Sequence, residues 1–462
     1  MSTVADAPAA RPSDSTADEP LGVASDAPDS DTVAPHADCP EKWEPGNFLW
    51  LAVHQLMLRV GWVFKTESIV IPFFMDTIGG GPVLRGSLMV FNRLGFSIPP
   101  ALFARSLKLM AEKRWAVFTC TLGMSVPFAL LSIVWGTGVW RSAADPSVAA
   151  WWMPYLFLAA YGVFFCLTGV NQLSLHAING KVIRAERRGR LFATSVVVGS
   201  PIAIACAWVL MPRWLNLPDG GFTWLFAAPA LLFALASLTM LGIRELPDAF
   251  DEPSAGAWSR LRDAWRLAVE DGPCRGVATT ALLFSASFTL FPHYQALAVD
   301  EAGESFNLRS LMIWTVTQHT AVAILSLLAG PIADRFGNRL AVQLCVFGTA
   351  LGPLTAITLA SLPSDAMTEW YWLVFLPLGF TPVTIKMLIN YTLELVDREH
   401  HTQNVAAVGL CLAAPVIVGS PIVGWLVGVL GATPVFALGA VVLLAAGART
   451  LTLCEPRHAS GA

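Results

Sequence analysis

Five Glu, Lys or Arg side chains stand well inside runs apolar enough to cross a membrane: Arg59, Lys65, Glu67, Arg93 and Lys386. An ionised group at hydrocarbon depth costs about 2.5 kcal/mol or more, so it faces protein or water and by default marks a solute or proton path. Glu67 is the carboxyl of the set. Burial favours its neutral form and a neighbouring cation its charged form, which is the chemistry of a proton carrier that substrate or conformation can tip. The same two effects describe a structural ion pair, and both readings stay open.

Helix geometry limits which charges can meet. On one straight helix Lys65 and Glu67 point about 160° apart around the axis and cannot pair locally. Glu67 lies nine residues before Asp76 at the outer end of its run, and Arg93 nine after Leu84 at the outer start of the next. The two are expected at similar depth, so the predicted partner of Glu67 is Arg93. Lys65 and Arg59 then remain as surplus positive charge near the midplane and predict an anionic solute, a carboxylate or a phosphate ester. Lys386 is five residues from the inner end of its run, where snorkelling competes with ligand contact.

These residues need a scaffold, and composition names its class. The 462-residue chain is 55% hydrophobic and 13% charged, against about 25% charged in soluble proteins, which excludes a soluble enzyme. A helix needs about 20 apolar residues to cross the ~30 Å hydrocarbon core. Twelve runs qualify, near 48–75, 84–104, 115–136, 151–175, 191–211, 222–243, 276–298, 309–330, 340–362, 370–391, 402–429 and 433–452. Of the 29 Lys and Arg, 21 fall on one side of this threading and four on the other, Arg85, Arg141, Arg213 and Arg309. Since cytoplasmic loops retain positive charge, both termini are expected in the cytoplasm.

Between the spans one polar gap is long, 244–275, and its Trp258, Leu261 and Trp265 alternate with Arg260, Arg262 and Arg266 as in a short amphipathic helix. The expected organisation is a disordered acidic cytoplasmic tail (1–46), an N-terminal six-helix bundle (47–243), this linker (244–275), a C-terminal six-helix bundle (276–454) and a short cytoplasmic tail (455–462). The acidic tail has no basic region followed by an apolar one, so the first span is expected to direct insertion.

The two halves repeat each other. "VVVGSPIAI" at 196–204 returns as "VIVGSPIVG" at 416–424, and "FKTESIVIP" ending at Pro72 faces "FSASFTLFP" ending at Pro292, both 220 residues apart. "RWAV" from Arg114 and "RLAV" from Arg339 follow in the same order. The repeat sets Lys65, Thr66 and Glu67 against Ser285, Ala286 and Ser287, and Arg93 against Thr317, Gln318 and His319. Charge on the N-half and neutral hydrogen-bonding groups on the C-half, Ser285, Ser287, Gln318 and His319, are therefore predicted to share the solute, with His293, Tyr294 and Gln295 near the outer mouth. Asn171 and Gln172 read as helix-to-helix hydrogen bonders. In "GSP" and in Gly424 and Gly428, small residues allow helices to cross closely.

Twelve spans in two halves, a central cytoplasmic linker and "GPIADRFGNR" between the eighth and ninth spans resemble the major facilitator superfamily. Gly330, Asp334, Arg335, Gly337 and Arg339 match its G-x-x-x-D-R-x-G-R-R signature, with Asn338 in place of one Arg. The resemblance implies an all-α integral membrane protein of two pseudo-symmetric six-helix bundles, and a conformational latch at Asp334, Arg335, Gly337 and Arg339. The corresponding N-half loop, "ARSLKLMAEKR", lacks the Asp and both glycines, which leaves Arg105, Lys108, Lys113 and Arg114 as lipid-facing or topology charges.

The expectation is a secondary active transporter of a small organic anion or polar metabolite, working by alternating access and coupled to protons at Glu67. A drug or metabolite exporter, or a transporter-shaped sensor, is the alternative. The substrate contacts would be Lys65, Arg59, Arg93, Ser285, Ser287, Gln318, His319 and Lys386. A monomer in the plasma (bacterial inner) membrane is expected, its partners a small-molecule substrate, the lipid bilayer and protons, with no nucleic acid. No H-E-x-x-H, G-x-S-x-G or phosphate-binding loop is present, and the eight cysteines show no C-x-x-C, so no enzyme, cofactor or metal is predicted.

Overall fold

The computed structural model describes residues 40–145, 147–217, 219–248, 262, 266, 275–303, 306–396 and 401–455. The predicted acidic tail lies outside them as far as residue 39. The predicted amphipathic linker helix lies outside them except for Arg262 and Arg266.

Among the described residues there is no β-strand, only an isolated bridge between Arg141 and Ala149. The N-half comprises α1 (Glu44–Phe64), α2 (Val70–Thr77), α3 (Gly81–Leu109), α4 (Lys113–Gly136), α5 (Met153–Val182), α6 (Ala185–Leu215) and α7 (Phe222–Thr239). The C-half comprises α8 (Arg275–Phe284), α9 (Ala286–Leu290), α10 (Tyr294–Ala302), α11 (Arg309–Phe336), α12 (Asn338–Ala360), α13 (Ser364–Trp370), α14 (Phe375–Leu378), α15 (Phe380–Leu395), α16 (His401–Leu430) and α17 (Ala432–Thr450). Nine helical stretches among the described residues are long and apolar enough to span a bilayer. The first, second and seventh predicted spans are not among these nine. The first and seventh are interrupted helices, and α3 is a continuous 29-residue helix that carries Arg85, Arg93, Arg105 and Lys108.

Both interruptions fall in the repeated sequence. Lys65, Thr66, Glu67 and Ser68 are four polar residues in succession, and Lys65 leaves the helical region at φ −117°, ψ 39°. The Thr66 hydroxyl donates to the Val63 carbonyl at 2.8 Å and occupies an acceptor that the broken ladder would strand. Pro72 sits in the first turn of α2, where its missing N–H does no harm. In the C-half the helix is interrupted at Ser285 and again at Phe291–His293, around Pro292.

The chain enters the first helix earlier than predicted, at Glu44. That carboxylate is 3% exposed and accepts from Arg184 Nε at 2.8 Å. Asn47 closes the same end by donating to the Arg244 carbonyl and accepting its N–H, at 2.8 and 2.9 Å. Lys113, expected to face lipid, is buried. Its ammonium donates to the carbonyls of Leu107, Lys108 and Met110, capping the end of α3, where helix carbonyls favour a cation. Arg114 is also engaged, bonding Glu112 and the Ile243 carbonyl.

The halves meet mainly through α3 against α16 and α6 against α11. Glycines set the first crossing: a Cβ on Gly86 would lie 2.6 Å from the Ser420 carbonyl oxygen, and one on Gly424 2.4 Å from that of Pro82. The second "GSP" therefore serves the interface between halves. The first stays inside the N-half, where Gly199 lies against the Arg59 side chain.

Candidate functional site

A cavity of about 1040 Å³ lies between the halves. It runs from the break between α1 and α2 to the turn joining α5 and α6 and is open at that end. At the opposite, sealed end a second cavity of about 660 Å³ reaches in as far as Asp76 and Arg85, where a hydrogen-bonded cluster closes the way between the halves.

At the inner limit of the cavity the helix break overturns the predicted pairing. Because residues 65–69 leave the helix, the ideal-helix angle between Lys65 and Glu67 does not apply, and the Lys65 ammonium bonds the Glu67 carboxylate at 2.8 Å. Asn92 donates to the other Glu67 oxygen at 2.5 Å. Lys65 is fully buried, its ammonium 3.1 Å from the Trp62 ring centroid and 4.7 Å from those of Phe164 and Phe165. Rings attract a desolvated cation through their quadrupoles. Lys65 is thus a neutralised, caged cation. It is not the surplus charge that the sequence predicted.

Arg93 does not form the predicted ion pair. Its guanidinium stacks on Phe288 of the C-half, 3.6 Å from the ring centroid, and its Nε has no hydrogen-bond partner. Arg59 donates from Nη1 to the Ser200 hydroxyl at 3.3 Å, and its Nε is likewise unpartnered. Lys386 reaches across from the C-half to Phe192 of α6, 4.6 Å from the ring. All three line the cavity, and among the described residues none is in an ion pair. Arg59 is close enough to Lys386 and His319 to act on both electrostatically.

The predicted C-half contacts divide. Gln318 and His319 line the cavity and tie the two halves together at mid-depth, Gln318 accepting from Ser68 at 2.5 Å and His319 Nε2 lying 3.3 Å from the Thr66 hydroxyl. Ser285 and Ser287 do not reach it. Both are buried, and Ser285 donates back to the Leu282 carbonyl of its own helix, because the break turns this stretch into the bundle. Gln172 faces the cavity instead of a neighbouring helix, whereas Asn171 accepts from Thr121 at 2.9 Å as expected of a helix-to-helix bond.

Sequence reasoning placed His293, Tyr294 and Gln295 near the outer mouth and missed what His293 and Gln295 bond there. Arg85, counted only as a topology charge, donates to Asp76 at 2.7 Å and from Nε to His293 Nδ1 at 3.3 Å. Gln295 donates to the other Asp76 oxygen at 2.8 Å. Asp76 and Arg85 belong to the N-half, His293 and Gln295 to the C-half, so the cluster bolts the halves together. A charged residue at each end of the turn between the first two predicted spans, Asp76 and Arg85, was the available signal. Asn92, too, went unread beside Arg93.

At the open end Asp334 and Arg335 are exposed. Gly337 takes φ 92°, and a Cβ there would lie 2.5 Å from a Glu455 carboxylate oxygen, so glycine is required where α11 turns into α12. Arg339 donates to the Leu451 carbonyl at 2.9 Å and holds that turn to the end of α17.

The sequence model described as Major Facilitator Superfamily matches residues 297–461. No curated protein matches the chain. Among solved structures, a variant of the nucleoside transporter NupG superposes with TM-score 0.70 at 11% identity over 88% of this chain and 100% of its own. A D-xylose-proton symporter gives 0.61 at 13% over 89% and 98%, and the E. coli fucose:proton symporter FucP 0.56 at 11% over 88% and 98%. At such identities these likenesses speak for the fold, and they extend it over both halves, while the family match rests on the C-half sequence. By that match residues 297–461 are similar to the major facilitator superfamily, and by its fold and its apolar helices the chain is an integral membrane protein with the fold of these transporters.

Proposed function

We propose that this protein is a secondary active transporter whose solute is a small organic anion, carried by alternating access between the two bundles. The observation that supports it is the charge balance of the cavity. Glu67, the carboxylate on its wall, is bonded by Lys65 and Asn92 and acts on Arg93 from beyond ion-pair distance, while among the described residues Arg59 and Lys386 face the space with no carboxylate acting on them. Nucleosides, xylose and fucose, named for the structural neighbours, are uncharged and would leave those cations uncompensated. With the positive-inside orientation the open end is cytoplasmic and this is an inward-open state, in keeping with an exposed Asp334–Arg335 latch.

Glu67 is the group proposed to carry a coupled proton, since its side chain is 20% exposed to the cavity while its partner Lys65 is sealed off. The aromatic share of the wall, Trp62, Phe96, Phe192, Phe288 and Phe291, supports an apolar body on the anion more than a drug-exporter pocket.

Thermal unfolding of the purified protein against benzoate, citrate, inorganic phosphate, a pentose and a nucleoside tests the reading. Anions should raise Tm, and Arg59→Gln or Lys386→Gln should abolish the rise. Stabilisation by the neutral ligands alone would sink it. Flux of the stabilising anion in proteoliposomes separates a transporter from a sensor of the same fold.

A further inference from the structure

Resting on that reading, we propose that the carrier is an obligate anion exchanger: its empty cavity cannot be occluded, so an anion must be bound on both legs of the cycle. The premise is geometric. Among the described residues the uncompensated cations come from opposite halves, Arg59 from the N-half and Lys386 from the C-half. Arg59 and Lys386 both lie along one face of α6, against Ser200 and Phe192. Those two positions are about two helical turns apart, on the order of 12 Å. Sealing the open end would bring α15 closer to that face, beside the α11 already packed on α6, and shut both charges away from solvent. Like charges that lose their solvent and gain no partner oppose the movement.

The sealed end shows how this protein closes an interface over a cation. Arg85 is buried there with Asp76 and His293 bonded to it, and Gln295 bonded to Asp76 in turn. Among the described residues no carboxylate performs the office of Asp76 for Arg59 or Lys386, so the solute has to. An anion with more than one acceptor oxygen meets cations from both halves and turns their repulsion into attraction. A proton on Glu67 would add positive charge by releasing Lys65, and so cannot replace the anion.

The decisive measurement does not need the natural solute. Spin labels are placed on the exposed Gly189 of α6 and Phe336 of α11, at the open ends of two helices that pack across the interface, and distances are recorded in liposomes. In anion-poor buffer the wild type should show only the long distance, with benzoate, citrate or inorganic phosphate adding a short-distance population if bound. The variant Arg59→Gln with Lys386→Gln should populate the short distance without any anion, at least tenfold above wild type. A short-distance population in anion-free wild type, or a neutralised variant that stays open, overturns the exchange inference. Either result leaves anion binding standing or falling on the Tm screen, so the two readings fail separately.

Discussion

The two ends of the molecule treat charge in opposite ways. At the sealed end a buried arginine is matched across the interface by a carboxylate, an imidazole and an amide. At the open end Arg59 and Lys386, from opposite halves, act on one another with no carboxylate between them among the described residues. Each arrangement suits the state of its end, because a cation that is to be covered must first be neutralised, and one left open to water need not be. Lys65 lies between them and follows the rule of the sealed end: it is covered, and it has Glu67. What distinguishes a binding charge from a structural one here is therefore compensation, not depth.

The strongest way to break that comparison is to remove the match at the sealed end. Asp76→Asn leaves Arg85 buried beside His293 without the carboxylate that bonds it, and removing one partner of a buried pair costs about 3–5 kcal/mol, toward the low end here because Asp76 is 29% exposed and Asp300 lies in the same cavity. The sealed end should open, seen as faster labelling of a cysteine placed at Thr77 by a membrane-impermeant maleimide. The double change Asp76→Asn with Arg85→Gln should recover much of the loss, since no unpaired charge remains. A double variant no better than the single would mean that charge is not what closes this end.

A smaller effect is expected from the charges that already face water. Arg59→Gln and Lys386→Gln should each weaken binding of the stabilising anion by about 10- to 100-fold, the loss of a charge-assisted contact worth about 1.5–3 kcal/mol. The folded protein itself should be unharmed or slightly stabilised. Lys65→Gln should do the reverse, lowering Tm while leaving anion affinity within about threefold, because its ammonium, although it borders the cavity, is bonded to Glu67 and caged by Trp62, Phe164 and Phe165. Isothermal titration beside thermal unfolding separates the two columns of behaviour. An affinity loss at Lys65 as steep as at Lys386 would erase the distinction between compensated and uncompensated charge.

Much of this architecture was legible in the sequence for a physical reason. Apolar runs of bilayer length, a polar gap and a repeat at one offset are long-range patterns that many residues report together. The cavity cations Arg59, Arg93 and Lys386, and the pair Gln318 and His319, were legible too, because a polar group in an apolar run has few places to go. The pairing of Glu67 was not. It depended on whether residues 65–69 stay helical, and four consecutive polar residues before Pro72 ended the helix and brought Lys65 around to its neighbour. Ser285 and Ser287 failed for the same reason, since a break moves every side chain after it to a new face. The sealed-end cluster was hidden because Arg85 and Asp76 lie at span ends, where a charge explains itself by topology alone.

The smallest expected effects test whether charge alone or charge and close packing together seal that end. Gly424 and Gly428 are one helical turn apart on α16, yet their surroundings differ. A Cβ at 424 would lie 2.4 Å from the Pro82 carbonyl oxygen, whereas at 428 the nearest atom is the Pro82 ring at 3.7 Å, an ordinary contact. Gly424→Ala must push α3 and α16 apart, at about 1–3 kcal/mol for overpacking, and should lengthen the Arg85 bonds to His293 that cross the same interface. Gly428→Ala should cost nothing at the interface and gain a few tenths of a kcal/mol from helix propensity, on the order of 0.5 kcal/mol. The measurement is Tm together with maleimide labelling at the sealed end. If both alanines behave alike, the backbone approach at Gly424 contributes nothing to closure, and the cluster of Asp76, Arg85, His293 and Gln295 carries the seal by itself.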